Sequence, residues 1–198
     1  MNKKLITLIV TIIVIGLAIF GFYTLSTKLK KESTNGKSNN NSNNNIAVLY
    51  FSVTGNTKSV AKTISKEINA KLIEIEPKQK YVSADLSRTN SKSRAYVEGN
   101  DSTARPEIGN QIDISNYDII YLGYPIWWGD VPKIILTFMD TYNLEGKTVI
   151  PFCTSAGTGI SQSITTLKNY NKNVNWIEGK RLTTSKKDIK EWLNSIDY

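Results

Sequence analysis

Two nearly continuous apolar runs, Ile119-Ile120-Tyr121-Leu122 and Val149-Ile150-Pro151-Phe152-Cys153, limit what this chain can fold into. Neither alternates apolar with polar, as a strand with one wet face would. Runs of this length and kind suit strands covered on both faces, the condition of a parallel sheet with helices above and below it. The rest of the pattern agrees. Strands are expected over 46–51, 71–76, 118–123, 147–153 and 173–178, with helical spacing between and after them. Val60, Ile64 and Ile68 recur every fourth residue beside Ala61, and Ile160, Ile164 and Leu167 mark a helix over 160–169. Val131, Ile134, Ile135, Phe138, Met139 and Tyr142 follow Asp130, the expected N-cap, with Pro132 in the first turn. Ile189, Trp192, Leu193 and Ile196 form a final stripe. Residues 77–117 are too long for a bare loop and predict one more helix near 83–98. Strand–helix alternation of this kind implies a three-layer α/β fold.

In such a sheet a ligand sits at the carboxyl ends of the strands, where the strand order reverses. Three loops fall there. The first, Ser52-Val53-Thr54-Gly55-Asn56-Thr57, leads from a strand into a helix. A helix N-terminus carries unpaired N–H groups and the positive end of a dipole, so this loop reads as a phosphate cradle with hydroxyl donors added. The second, Tyr124-Pro125-Ile126-Trp127-Trp128-Gly129, offers two adjacent indoles for stacking on a ring. The third, Thr154-Ser155-Ala156-Gly157-Thr158-Gly159, is small and polar and lets backbone groups approach a ring edge. Together they suit a flat, phosphorylated heteroaromatic ligand. Met139 and Trp192 read as core.

Several chemistries are excluded or unsupported. The 198 residues include no His, so Ser-His and Cys-His catalysis and histidine metal sites are absent. Cys153 is the single cysteine and reads as a buried apolar residue. Neither G-x-G-x-x-G after the first strand nor G-x-x-x-x-G-K-[ST] occurs. No nucleophile–base pair suits a phosphate-ester hydrolase. The formal charge is +8, of which residues 1–45 supply +5 through six Lys and one Glu. The +3 on residues 46–198 is diffuse and no recognition motif accompanies it, so no nucleic-acid partner is expected.

Residues 5–25 are uncharged, dominated by Leu, Ile and Val, and flanked by Lys3-Lys4 and by Lys28, Lys30 and Lys31. As a helix they would be about 30 Å long, the thickness of a bilayer core. A signal peptide is the alternative, but the run is long for one and no A-x-A site follows it. The expected organisation is therefore a single-pass anchor over 1–31, a flexible Asn/Ser-rich linker over 32–45, and a domain over 46–198 held on the extracytoplasmic side.

The motifs YFSVTGNTKSVA, LGYPIWWG and PFCTSAGTG, in this order, resemble the flavodoxin family. The resemblance covers the whole of 46–198 and implies a flavodoxin-like three-layer sandwich. Its five-stranded parallel sheet would have order 2-1-3-4-5, for which flavodoxin is the type example, here preceded by one transmembrane helix. It also implies FMN as cofactor. Ser52, Thr54, Gly55, Asn56 and Thr57 would bind the phosphate. Pro125, Ile126, Trp127, Trp128 and Gly129 would cover the isoalloxazine, and Thr154, Ser155, Ala156 and Gly157 would meet its pyrimidine edge or the ribityl chain. The implied function is an FMN-binding oxidoreductase or electron carrier tethered to a membrane, with NAD(P)H, a quinone or a redox protein as donor and acceptor. The alternative is a non-redox module whose Trp pair docks a protein on the same scaffold. Two departures from simple carriers stand out. Those are commonly acidic whereas 46–198 is net basic, and loop 154–159 brings no aromatic, which leaves one ring face open to a substrate.

Overall fold

The computed structural model describes residues 45–197. The expected membrane span over 5–25, and the linker up to residue 44, lie outside them. Among the described residues no helix is long and apolar enough to cross a membrane.

The strands are β1 (Ile46–Tyr50), β2 (Lys71–Glu74), β3 (Ile119–Pro125), β4 (Thr148–Thr154), β5 (Asn175–Trp176) and β6 (Lys180–Arg181). All pairs are parallel, in the order β2-β1-β3-β4-β5, with β6 also on β4. This is the expected order. The register sets Val48 beside Tyr121 and Tyr121 beside Ile150. Along β1 and β3, alternate residues serve opposite faces: Ala47, Leu49, Ile120, Leu122 and Tyr124 join one core cluster, and Val48, Tyr50, Ile119 and Tyr121 the other. Both faces are buried, so the strands read as continuous apolar runs.

Among the described residues the helices are α1 (Asn56–Glu67), α2 (Arg94–Asn100), α3 (Lys133–Thr141), α4 (Ser161–Tyr170) and α5 (Lys186–Ser195). Val60, Ala61 and Ile64 of α1 and Ile189 and Trp192 of α5 fill one cluster. Ile134, Ile135 and Phe138 of α3 and Leu167 of α4 fill the other. The α5 stripe is capped by Ser185, whose Oγ accepts from the Asp188 N–H at 3.3 Å.

Three expectations change. The fifth strand is interrupted, β5 and β6 being two short pieces opposite the two ends of β4. Ile177 N–H donates to Val149 O and Leu182 N–H to Cys153 O, so alternation turns Pro151 toward the same side, where it has no N–H to offer. Gly179 lies at that break, where a Cβ would fall 2.4 Å from Pro151 O. The single helix expected near 83–98 is instead a 3-10 turn, Ser83–Leu86, followed by α2. Between them Asn90 folds a polar turn, its Oδ1 accepting from Lys92 N–H and its backbone oxygen from Ser93 N–H. Finally, Asp130 is not the N-cap of α3; Pro132 is. Asp130 lies in the turn before the helix, accepting from Val131 N–H at 2.7 Å and from the Thr166 hydroxyl at 2.7 Å.

Candidate functional site

A cleft of about 860 Å³ opens at the carboxyl ends of the strands. All three expected loops reach it. Thr54 and Asn56 come from the first, Pro125 to Gly129 from the second, and Thr154, Ser155, Ala156 and Thr158 from the third. Of the expected residues, Ser52, Gly55, Thr57 and Gly157 are not on its lining.

Gly55, Thr57 and Gly157 shape the loops instead. Gly55 caps α1 in the left-handed region at φ +87°, with no side-chain cap bond. The N–H groups that open α1 thus receive no side-chain cap among the described residues, and Thr54 and Asn56 beside them line the cleft. Those two exposed side chains bond each other, Asn56 Nδ2 donating to Thr54 Oγ1 at 3.2 Å. Thr57 is buried beneath, its hydroxyl 2.8 Å from that of Thr154, tying the first loop to the third. Gly157 N–H donates to Ser155 Oγ at 3.3 Å, and Ser155 Oγ donates to Thr158 O, so the third loop closes on itself.

The two tryptophans differ in kind. Trp127 is a fixed wall: its ring meets Phe51 edge-on at 5.4 Å and Tyr81 at 5.1 Å. Tyr81 is held in turn by the Arg94 guanidinium 3.9 Å over its ring and by Glu98, which accepts from both Tyr81 and Arg94. Trp128 is 39% exposed and, among the described residues, its ring meets the Tyr96 ring alone, edge-on at 5.8 Å. Its φ is +46° and that of Gly129 +86°. Reciprocal bonds between Trp127 and Asp130, both 3.0 Å, close these residues into a tight two-residue turn. That turn demands two positive φ angles, which Asn-Gly or Gly-Gly meet cheaply and Trp does not. A left-handed Trp costs on the order of 1–2 kcal/mol, and strain held at a cleft points to a role for the side chain there.

Tyr124, a residue in reach of the site by sequence, is fully buried. Its hydroxyl donates to Ser163 Oγ at 3.1 Å, because Ser163 spends its own proton on Ile160 O at 2.8 Å. Burial raises its pKa well above the usual phenol range, so it packs and carries no proton to the cleft. Burial pushes the Cys153 thiol up to about 12, which leaves it inert.

The lining also includes residues not expected from sequence. Val60, Leu86 and Arg88 join, as do Leu182, Thr183 and Thr184. The last three follow β6 and could have been found by the same rule that located the other loops, had the end of the broken strand been placed. Leu86 and Arg88 carry no local signal; they arrive from the long segment after β2.

The family model for flavodoxin matches residues 45–196. The chain belongs to the flavodoxin family. Among solved structures, this flavodoxin-family domain is similar to an inferred flavoprotein of Bacteroides eggerthii DSM 20697, at 44% identity and a TM-score of 0.73, over 76% of this chain and 96% of that one. A second inferred flavoprotein, from Bacteroides uniformis ATCC 8492, is 38% identical with a TM-score of 0.75, over 77% and 99%. A flavoprotein of Lactobacillus acidophilus NCFM, solved in complex with FMN, is 28% identical with a TM-score of 0.55, over 76% and 99%. No curated protein matches the chain.

Proposed function

We propose that the domain is an FMN-dependent redox protein. The observation that carries this is the uncapped α1 N-terminus beside a cleft walled by Trp127 and Trp128. The residues fit the cofactor. N–H groups and the Thr54 hydroxyl suit a phosphate, indoles suit an isoalloxazine, and the cleft volume falls in the range of about 300–1,000 Å³ typical of small-molecule sites. Family membership and the FMN-bound Lactobacillus relative support the same ligand.

Ser52, Thr54, Gly55, Asn56 and Thr57 would form the phosphate end, with Thr57 bracing it from below. Pro125 to Gly129 would line the ring, and Thr154 to Gly157 its edge. Bound FMN supplies reversible electron transfer that no side chain here can provide. The lining, among the described residues, holds no carboxylate, imidazole, thiol or phenol. Proton exchange at the site therefore runs through water and backbone or threonine groups. Trp127 and Trp128 exclude water from one side, and the absence of an aromatic in 154–159 leaves the other side open to a second reactant. NAD(P)H, a quinone or a redox protein would serve as donor or acceptor. An anchor over residues 5–25 would hold the domain at the outer face of a membrane, a topology that protease treatment of intact cells tests by cleaving the domain away.

Protein purified from cells is expected to be yellow, with a flavin absorbance that is lost on FMN removal and regained on titration. Riboflavin should bind at least tenfold more weakly than FMN, and T54A/N56A should lose most of that phosphate preference. Colourless protein with no saturable FMN binding sinks the proposal.

A further inference from the structure

We propose that Arg88 selects a small anionic molecule as the species that exchanges electrons with the domain, an assignment that rests on the FMN reading above. Among the described residues Arg88 is the one charged side chain on the cleft lining. It is exposed and makes no ion pair or hydrogen bond with any described residue. Its backbone is nevertheless held in place. Leu86, two residues earlier, packs against the core cluster that includes Tyr81 and Ile126. Ser87 N–H donates to Ala84 O at 3.3 Å and Ser87 O accepts from the Ser93 hydroxyl at 2.9 Å. An unpaired guanidinium on a pinned turn at a cleft is a fork for a carboxylate, phosphate or sulfonate.

The phosphate of FMN is not the anion this cation best suits. The cradle opening α1 is neutral in its side chains, relying on N–H groups and the helix dipole. Lys58, the nearest cation in sequence, is committed to Glu74 at 2.8 Å. Moreover, α1 belongs through Val60 to the cluster on one face of the sheet, and Leu86 to the cluster on the other. Arg88 is thus carried by a segment packed on the face of the sheet opposite the one that α1 covers. One cation set among apolar and hydroxyl side chains matches a single anionic group on a small molecule. An acidic protein surface would call for several cations.

The test compares full-length wild type, R88A and R88K, each loaded with FMN. Binding of 1,4-naphthoquinone-2-sulfonate and of neutral 1,4-naphthoquinone to the oxidised protein is measured by calorimetry, and FMN affinity separately by fluorescence. Wild type should prefer the sulfonate. R88A should weaken sulfonate binding about tenfold, with R88K intermediate, while neutral quinone and FMN affinities stay within twofold. Equal losses for both quinones, no loss for either, or no sulfonate preference in wild type overturns the assignment. A selective loss of FMN affinity in R88A overturns it too, and gives Arg88 to the cofactor phosphate. Failure of wild type to bind FMN at all is read from the fluorescence titration alone and removes the underlying reading with it.

Discussion

Trp128 carries the clearest conflict between local preference and position. Its φ of +46° is one that L side chains rarely adopt, and it gives up packing as well, with 39% of its surface exposed. If the ring exists for a ligand, removing it should cost binding and little else. Trp128→Gly relieves about 1–2 kcal/mol of backbone strain and loses a contact with Tyr96 worth about 0.5–1.5 kcal/mol. We expect its urea midpoint to stay close to wild type while FMN affinity drops at least tenfold. A large fall in stability with intact FMN binding would make Trp128 a structural residue instead. The sequence marked both tryptophans but could not rank them. The split between wall and exposed ring depends on Phe51 and Tyr81, which reach Trp127 from separate parts of the chain.

At the scale of elements, the cleft depends on loops that are distant in sequence being braced together. Thr57 at the start of α1 and Thr154 at the end of β4 share a buried hydroxyl contact of 2.8 Å across 97 residues. Thr57→Val leaves the Thr154 hydroxyl without that partner, and we expect a loss of roughly 1–3 kcal/mol. Adding Thr154→Val should restore much of this, since two apolar groups of the same shape need no partner. Denaturant midpoints of the two single variants and the double variant test it; strictly additive losses would mean the pair is not a brace. The long connection after β2 is the element least legible in sequence. Its order comes from the pairing of Pro77 with Ile108 and from side-chain bonds such as Arg94 to Gln79 O. None of these leaves a periodic trace.

For the molecule as a whole, both faces of the sheet bury groups that must stay neutral. Burial raises the pKa values of Tyr50, Tyr81 and Tyr124, with Glu74 bonded to the first and Glu98 to the second, and raises the Cys153 thiol to about 12. Each folded value lies above its unfolded one, so each contributes stability that is complete below the ordinary range of these groups. That contribution is lost as pH rises through the folded value. The urea midpoint should therefore fall steadily from about pH 9 upward, and alkylation of Cys153 should track global unfolding. A midpoint flat between pH 9 and pH 11, or rapid alkylation of native protein at pH 8, would contradict this.

By itself the sequence determined the layered parallel fold, the positions of the first four strands and the three loops that meet at its carboxyl edge. Apolar periodicity and turn residues are local properties, and buried parallel strands leave them intact. The tertiary structure alone decided that Asp130 leaves the helix for a strained turn, that the fifth strand breaks opposite Pro151, and that Arg88 and Thr183 complete the cleft. Each of these depends on what a residue meets across space. A missing donor on a neighbouring strand, or a second segment packed against an indole, is not recorded in the residues adjacent to it in the chain.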